Sequence, residues 1–517
     1  MSQRLLKSTA TVGGMTLLSR VFGLARDVVI ARLFGAGMGT DAFFVAFRIP
    51  NFFRRLFGEG AFAQAFIPVL SEYKQQRGEE EVRNLIDHTT ATLGLIVLAV
   101  TVVGVVAAPI VILVFAPGFR EDMSRYDLAV SLLRLTFPYL LFISLTALAG
   151  AILNAWRRFA VPAFTPVLLN LSLIGAAIWL APYLETPIEA LAWGVLIAGV
   201  VQLLFQLPFL LRLRLMPRPF GGRDREGVGR IFKLMLPTLF GVSVSQINVM
   251  IDTLIASFLV SGSISWLYYS DRMMEFPLGV FGIALATVIL PQLSEKHAEG
   301  NGRDYSLTLD WGLRWVWLIS VPAAVGLAVL AVPIMVTLFQ YGSFTPVDAA
   351  MASRSLMAFA IGLPAFVLIK VLATAFFSRQ DTRTPVKAGV AAMVTNIILN
   401  LALVGILAHA GLALATSIAA AVNAGLLFFW LKRYKAYTAQ PGWHAFLLRV
   451  ITATFVMAAL LVYWLPGLDE WVAMGLWWRI GMLTLWVAAG LALYPIILLI
   501  TGMRPWHLSG TAGTLLK

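Results

Sequence analysis

The chain has 517 residues, of which 59% are hydrophobic and only 13% are charged. A soluble globular protein carries about 25% charged residues, so these proportions exclude a soluble fold and a disordered chain. The sequence has no cysteine, which excludes disulfides and zinc–thiolate sites, and its five histidines are scattered without metal-ligand spacing. The composition therefore predicts a polytopic membrane protein.

Apolar segments predict about 14 transmembrane helices in an all-α fold, because a membrane-spanning helix needs about 20 mostly apolar residues. The first, second, seventh and eighth of these helices carry internal charges. One long segment is expected to form two helices with a break near residues 409–411. In chain order the predicted spans lie at 10–35, 41–72, 89–119, 135–156, 159–184, 190–211, 234–259, 263–295, 315–347, 350–377, 388–431 (two helices), 450–468 and 480–503.

The loop charges predict that both termini are cytoplasmic. Lys and Arg residues concentrate in every second loop, whereas the opposite loops contain few, Arg120 and Arg125 among them. This asymmetry is typical of the cytoplasmic side of a membrane protein. The formal net charge of +13 is therefore a topology signal, and nucleic acid is not an expected partner. A cleavable signal peptide is not expected, because the first helix is charged.

The two halves of the chain resemble each other, which predicts two lobes. Residues 168–175 (LLNLSLIG) recur as 398–405 (ILNLALVG), and shorter matches follow the same order. Each repeat contains an even number of predicted helices, as in transporters whose lobes are related by an axis along the membrane normal. We predict an N-lobe at 1–211, a basic cytoplasmic linker at 212–233, a C-lobe at 234–435, and two extra helices with a cytoplasmic tail at 436–517.

The helices that open each lobe contain charges inside the membrane, where an isolated charge costs roughly 2.5–3.5 kcal/mol. Because these helices are equivalent in the repeat, the charges are expected to converge on one central cavity. Arginine predominates in the first two helices, and guanidinium groups present paired donors that suit phosphate or carboxylate. The charged residues are Arg20, Arg26, Asp27, Arg32, Asp41, Arg48, Arg54, Arg55, Glu59, Asp252, Asp271, Arg272 and Glu275.

Structural alternatives stay open for the arginines. Arg32, Arg48 and Arg55 would serve equally well in internal salt bridges or by snorkelling to the membrane surface. Arg20 and Arg26 are separated by a net rotation of about 240° on a regular helix. They face the same cavity only if the helix bends or the cavity is wide.

Asp41 and Glu275 are candidate gate residues. Asp41 lies near the predicted non-cytoplasmic end of the second helix, and Glu275 shares a helix face with Arg272. A carboxylate that closes against an arginine of the other lobe would seal one side of the membrane, and a purely structural ion pair is the alternative. Residues 58–60 (GEG) lack the lysine and the strand context of a phosphate-binding loop.

Four segments carry long and specific motifs: 20–27 (RVFGLARD), 35–73, 265–294 and 377–387 (FSRQDTRTPVK). They closely resemble the MurJ family, also called MviN, and the resemblance extends over essentially the whole chain. That family comprises the lipid II flippases of bacterial peptidoglycan synthesis and belongs to the MOP exporter superfamily, which also includes MATE-type multidrug exporters. The resemblance implies alternating-access translocation of lipid II, an undecaprenyl-diphosphate carrying a disaccharide-pentapeptide, across the bacterial cytoplasmic (inner) membrane.

The resemblance also implies roles for individual residues. The family's essential cavity arginines match Arg20, Arg26, Arg54 and Arg272, and its gate carboxylates match Asp41 and Glu275. We expect Asp27 and Arg55 to support the cavity. A sodium site found in some relatives has Asp252 and Asp381 as its candidates here, with Asn396 weaker, and the rest of its ligand set is not evident. The two extra helices are expected to hold the polyprenyl tail.

Other functions fit the sequence less well. A MOP-type exporter of another polyprenyl-linked glycan or amphiphile is the nearest alternative, because it shares the architecture. A membrane enzyme would need clustered catalytic carboxylates or histidines, whereas the loops here are short and basic. We therefore expect a transporter that is not an enzyme, has no cofactor, works as a monomer among membrane lipids, and is coupled to sodium or to the membrane potential.

Overall fold

The computed structural model describes residues 3–55, 61–218 and 224–504. Throughout these ranges the regular elements are helical and strands are absent, which confirms the all-α fold. The Gly58-Glu59-Gly60 segment, the centre of the predicted basic linker and most of the predicted C-terminal tail lie outside the described residues.

The chain divides into two compact units, Met1–Ser265 and Trp266–Lys517. This boundary falls later in the chain than the predicted linker at 212–233, so the helix that follows the linker packs within the first unit. The predicted lobes rest on the internal repeat, which the packing does not test, and they stay a prediction.

The first unit contains ten complete helices and the start of an eleventh among its described residues. Short 3-10 or π-helical turns at Pro117–Glu121, Ala176–Leu180 and Ala181–Tyr183 connect some of them. The helices are α1 (Gln3–Phe34), α2 (Met38–Arg54), α3 (Ala61–Gln76), α4 (Gly78–Val106), α5 (Ala108–Phe115), α6 (Met123–Thr136), α7 (Tyr139–Ala155), α8 (Ala160–Gly175), α9 (Glu189–Arg212) and α10 (Arg225–Ala256).

The second unit begins at Trp266, within α11, and extends through the last described helix. A π-helical turn at Leu278–Gly282 joins its first two helices. The helices are α11 (Ser263–Pro277), α12 (Ile283–Ala298), α13 (Gly302–Val329), α14 (Ala331–Phe339), α15 (Pro346–Phe377), α16 (Arg383–Arg433), α17 (Trp443–Trp464), α18 (Leu468–Ala473) and α19 (Leu476–Ile500).

Ten helical segments of the described chain are long and apolar enough to cross a membrane. One of them, α16, is interrupted at Ala408, whose φ of 49° and ψ of −130° are not helical. The break predicted near residues 409–411 is therefore confirmed. The charged segments α1 and α10 also form helices, as predicted, although they are not among the ten. The total of about 14 transmembrane helices stays a prediction.

A buried aspartate fastens the first of the two extra helices to the second unit. Asp310 on α13 accepts hydrogen bonds from the Tyr437 hydroxyl (2.7 Å), the Gln440 backbone N–H (3.1 Å) and the Trp443 indole (2.7 Å). Its other oxygen pairs with Arg314 Nε at 2.8 Å. A buried carboxylate is stable only when its lone pairs are satisfied, so these donors set where the chain turns from α16 into α17.

Glycine permits the close packing of α4 against the bend between α6 and α7. A Cβ added at Gly104 would lie 2.2 Å from the ring of Phe137, which is almost completely buried. At Gly94, on the same helix, the nearest atom to an added Cβ would be at 3.9 Å, an ordinary contact. Only glycine at position 104 therefore leaves room for the bend to pack this closely against α4.

This difference predicts that Gly104→Ala destabilises the protein relative to Gly94→Ala. Both substitutions replace a helical glycine and gain the same helix propensity, so their difference isolates the clash. Overpacking of this kind costs about 1–3 kcal/mol. Thermal unfolding of the two detergent-purified variants measures the effect, and equal midpoints would contradict the packing described here.

Candidate substrate-binding site

Arg20 is a half-buried arginine on α1. It forms no hydrogen bond or ion pair with any residue in the described part of the chain. A guanidinium group cannot lose its proton in a protein, so its charge persists here. Among the predicted cavity arginines, Arg20 therefore offers donors that can bind an anion directly.

Arg26, on the same helix, has a different environment. Only 5% of it is exposed, and its Nε and Nη2 atoms donate to Asp27 Oδ1 at 2.9 and 2.6 Å. Its Nη1 atom donates to Asn170 Oδ1 of α8 at 3.0 Å, and the Asn170 amide in turn donates to the Ser19 carbonyl at 3.1 Å. The helix α1 continues without a break through Gly23. Arg20 and Arg26 therefore point in different directions around the helix axis, as predicted for a regular helix, and their environments differ.

The arginines of α2 hydrogen-bond to neutral side chains. Arg54 Nε donates to Asn51 Oδ1 at 3.0 Å, and Arg55 Nη1 donates to Gln246 Oε1 of α10 at 3.2 Å. Arg48 Nη1 likewise donates to the Thr253 hydroxyl of α10 at 2.7 Å. A neutral partner orients a guanidinium group but does not itself cancel its charge.

Asp41 is the centre of a buried polar cluster that joins three segments of the first unit. Its side chain is fully buried and pairs with Arg125 Nη2 of α6 at 2.8 Å. It also accepts hydrogen bonds from the backbone N–H groups of Gly262 (2.7 Å) and Ser265 (2.8 Å) and from the Ser265 hydroxyl (2.6 Å). The carboxylate thus caps the first turn of α11 from a distant helix, where the helix dipole favours a negative charge.

Two neighbouring contacts brace the same cluster. The Arg125 guanidinium lies 3.9 Å from the centre of the Phe119 ring, a cation–π contact. The backbone N–H of Gly118 donates to the Ser257 hydroxyl at 3.0 Å, and a Cβ added at Gly118 would lie 2.5 Å from the Ser257 backbone. The 3-10 turn before α6 therefore packs directly on the end of α10.

In the second unit, Arg272 and Glu275 pair on one face of α11, as their spacing predicts. Arg272 Nη1 lies 3.0 Å from Glu275 Oε2, and both side chains are substantially exposed, at 38% and 48%. The Tyr268 hydroxyl lies 3.4 Å from the Arg272 guanidinium. An exposed pair of this kind contributes little stability and separates easily.

The two carboxylates predicted for a sodium site belong to different units. Asp252 lies on α10 of the first unit. Asp381 lies in the second unit, where its Oδ1 atom accepts from the backbone N–H groups of Arg383 and Thr384, each at 3.0 Å. Burial acts to raise the pKa of Asp381, but these bonds and the Thr384 hydroxyl outweigh it and hold the pKa below its ordinary value. Asp381 is therefore ionised at neutral pH and caps the start of α16.

The weaker sodium candidate, Asn396, is fully buried and hydrogen-bonded to Thr416 (3.0 Å) and Asn400 (2.6 Å). Within the described ranges no group of three or more His, Asp or Glu residues is arranged to hold a metal ion. The sodium site stays a prediction.

Sequence reasoning missed two partners of the predicted residues. Arg125 was noted only as a loop charge, although it is the ion-pair partner of Asp41. Asn170, which holds Arg26, lies in one of the repeated motifs but was not assigned a role. One feature of the sequence pointed to Arg125. Basic residues are scarce in the non-cytoplasmic loops, so topology does not explain an Arg there and a structural partner is expected.

The long apolar helices and the membrane-level charges define a polytopic membrane protein, and its fold is that of MOP-superfamily transporters. An inward-facing multidrug resistance MATE family transporter of the MOP superfamily is similar with a TM-score of 0.67. The similarity covers 83% of this chain and 98% of that chain at 15% identity, which shows the fold alone.

Closer similarities show the family. The family model described as "Lipid II flippase MurJ" matches residues 30–481. The probable lipid II flippase MurJ of Vibrio cholerae serotype O1 is 49% identical over 512 residues, 97% of each chain, and that of Haemophilus influenzae is 46% identical over 507 residues, 96% of this chain and 99% of its own. A solved structure of lipid II flippase MurJ in an inward closed conformation has a TM-score of 0.81 at 28% identity, and covers 95% of this chain and 98% of its own. The chain belongs to the MurJ family of lipid II flippases.

The Asp41 cluster predicts a large effect of Asp41→Asn. The substitution leaves the Arg125 guanidinium buried without its carboxylate, and breaking a buried pair in this way costs about 3–5 kcal/mol. Denaturant unfolding of the purified variants measures the loss, with Glu121→Gln, an exposed neighbour, as the control.

The double variant Asp41→Asn/Arg125→Gln tests whether charge is the cause. Removing both charges should recover part of the loss, because the buried cation is then absent. A single Asp41→Asn variant as stable as Glu121→Gln would show that the ion pair does not hold these segments together.

Proposed function

We propose that this protein is a lipid II flippase that moves undecaprenyl-diphosphate-linked disaccharide-pentapeptide from the cytoplasmic to the periplasmic leaflet of the bacterial inner membrane. The observation that carries the proposal is membership of the MurJ family over nearly the whole chain. The proposed cycle is alternating access, with both termini in the cytoplasm and the polyprenyl tail remaining in lipid.

In this proposal the arginines hold the diphosphate. Arg20 supports the role most directly, because its guanidinium is half-buried and has no partner among the described residues. Arg54 Nε donates to the neutral Asn51 amide oxygen, which orients the guanidinium group for a phosphate oxygen. Arg272 has an exposed carboxylate partner that an anion readily replaces.

Arg26 is not proposed to contact the diphosphate in this conformation, because its N–H groups already donate to Asp27 and Asn170. We assign it an indirect part in the proposed site: its pairing with Asp27 leaves a locally neutral patch on α1. The positive charge that attracts the diphosphate then comes chiefly from Arg20, Arg54 and Arg272. Release of Arg26 from Asp27 in another conformation would add a further donor.

Asp41 is proposed as a gate residue whose cluster must open during the cycle. Its four donors come from α6 and from the turn between α10 and α11, so one carboxylate holds several segments at once. Breaking the cluster exposes a buried charge, and water entering the open site would compensate for that exposure. Glu275 is proposed as the corresponding gate carboxylate of the second unit.

The function is tested by measuring lipid II at the outer face of the cytoplasmic membrane after rapid depletion of this protein. We expect exposed lipid II to fall and the precursor to accumulate inside, because the proposed route across the membrane is lost. The assay is made in cells without a redundant flippase. Unchanged exposure in those cells would contradict the proposal, and accumulation of another polyprenyl-linked glycan would identify the alternative substrate.

Complementation of the same depletion strain separates the role of Arg20 from general charge. Arg20→Ala should fail to restore lipid II exposure, and Arg20→Lys should restore it partly, because lysine keeps the charge but not the paired planar donors. Arg32→Ala, at an exposed position of the same helix, is the matched control and should restore it fully. Full activity of Arg20→Ala at normal expression would rule out the proposed phosphate contact.

Coupling to the membrane potential is proposed in preference to sodium. An inside-negative potential favours inward movement of positive charge by about 2.3 kcal/mol per charge per 100 mV, which would reset an empty arginine-rich site. Asp381 already caps α16, an alternative use for one of the two sodium candidates.

The two drivers give opposite results in everted or intact vesicles that hold the purified protein. Dissipating the potential with sodium held constant should stop lipid II translocation, whereas removing sodium at constant potential should not. The variants Asp252→Asn and Asp381→Asn should likewise leave the response to sodium unchanged. If removing sodium alone stops translocation, and if either variant no longer shows this dependence on sodium, the assignment is overturned in favour of the sodium site.

A further inference from the structure

A cavity of about 560 Å³ lies in the first unit between α5, α6 and α9. The proposed flippase function uses none of the residues that line it. One side is a stripe of α6 that carries Asp127, Ser131 and Arg134, at the spacing of a single helix face. The opposite side carries Glu189 and Trp193, in the first turns of α9.

Three charged side chains of this cavity have no protein partner. Asp127 and Arg134 are exposed and Glu189 is half-buried. Across the described chain, none of the three side chains forms an ion pair or a hydrogen bond with another residue. Arg134 belongs to a segment that is long and apolar enough to span a membrane, where a charged group without a partner is costly. The cavity therefore lacks the groups that would compensate its charges.

The charges are ordered along the two helices. Both α6 and α9 begin at this end of the unit, with Glu189 in the first turn of α9 and Asp127 in the second turn of α6. Arg134 lies seven residues beyond Asp127, about 10 Å further along the helix. Trp193 is 39% exposed, and an exposed indole one turn into a membrane helix is typical of the interface between lipid headgroups and chains. From the start of each helix onward, the cavity offers a carboxylate first, then the Trp193 indole on α9 and the Arg134 guanidinium group on α6.

This order is that of a zwitterionic phospholipid, whose amine extends outward from its phosphate. We propose that the cavity binds the headgroup of a phospholipid with a primary ammonium, that is, a phosphoethanolamine headgroup. The phosphate accepts hydrogen bonds from Arg134, and the ammonium lies between Asp127 and Glu189 against the Trp193 indole. Exposed apolar side chains next to Pro109 in the sequence, Val106 and Ile110, supply surface for the acyl chains.

The pattern of charges selects against other lipids. An anionic headgroup without an amine satisfies Arg134 but places its charge near two unpaired carboxylates. A choline headgroup keeps the positive charge but has no N–H donor for those carboxylates. A simple cation satisfies the carboxylates and leaves the guanidinium without a partner. Only a ligand with both a phosphate and a protonated amine pairs all three groups.

The test measures lipid affinity of the full-length protein in detergent, from the shift of its thermal unfolding midpoint as lipid is titrated. The lipids are phosphatidylethanolamine, phosphatidylcholine and phosphatidylglycerol with identical acyl chains, and soluble glycerophosphoethanolamine is a fourth arm. We expect phosphatidylethanolamine to bind most tightly, and Arg134→Gln to weaken it roughly tenfold through loss of a charge-assisted phosphate contact. Arg120→Gln, in the adjacent 3-10 turn but outside the cavity, is the matched control and should bind as the unmodified protein does.

A second variant keeps the proposal testable if Arg134→Gln does not fold. Asp127→Asn/Glu189→Gln should abolish the preference for phosphatidylethanolamine over phosphatidylglycerol while leaving phosphate binding intact. Equal affinity for the three lipids, or tighter binding of phosphatidylglycerol, would overturn the proposal. So would equal affinity for soluble glycerophosphoethanolamine, because the site would then recognise a free headgroup and not a membrane lipid.

Discussion

A buried carboxylate that must be satisfied without water organises the first unit. Asp41 receives donors from Arg125, from two backbone N–H groups and from a serine hydroxyl, and these groups come from segments far apart in the chain. Since an unpaired charge in a dry environment is very costly, the donors have to arrive together. The positions of α2, α6 and the turn before α11 are thereby coupled.

Two other arginines of the same unit donate to neutral side chains. Arg48 and Arg55 hydrogen-bond to the neutral side chains of Thr253 and Gln246, and Arg20 has no partner within the described ranges. A hydrogen bond to a neutral side chain orients a guanidinium group for binding an anion. The first unit therefore contains a buried carboxylate that receives four donors and, in Arg20, an arginine without a partner among the described residues.

The second unit uses charge to fasten its last helices. Asp310 receives four donors and fixes the turn between α16 and α17. Arg479, which is 6% exposed, donates to the carbonyls of Gln340, Val472 and Met474 at the ends of α14 and α18, where the helix dipole favours a cation. Hydrophobic contacts in lipid are weakly directional, so these polar contacts specify how the extra helices dock.

Hydropathy and local sterics predicted much of this architecture. The all-α fold, ten apolar spans and the break in α16 at Ala408 follow from which residues tolerate lipid and where a helix must stop. The cost of charge in lipid also singled out Arg20, Asp41 and Arg272 as unusual before their surroundings were known.

The sequence by itself determined the class of protein, the helical segments and the family, because these depend on local composition and long motifs. Only the tertiary structure decided which partner each charge has. Arg125 meets Asp41 across 84 positions of the chain, and Asn170 meets Arg26 across 144. Hydropathy carries no information about which distant segments become neighbours, and helix rotation decides which side chains then meet. The same reason applies to Arg134, Asp127 and Glu189, which only the packing of α6 against α9 brings into one cavity.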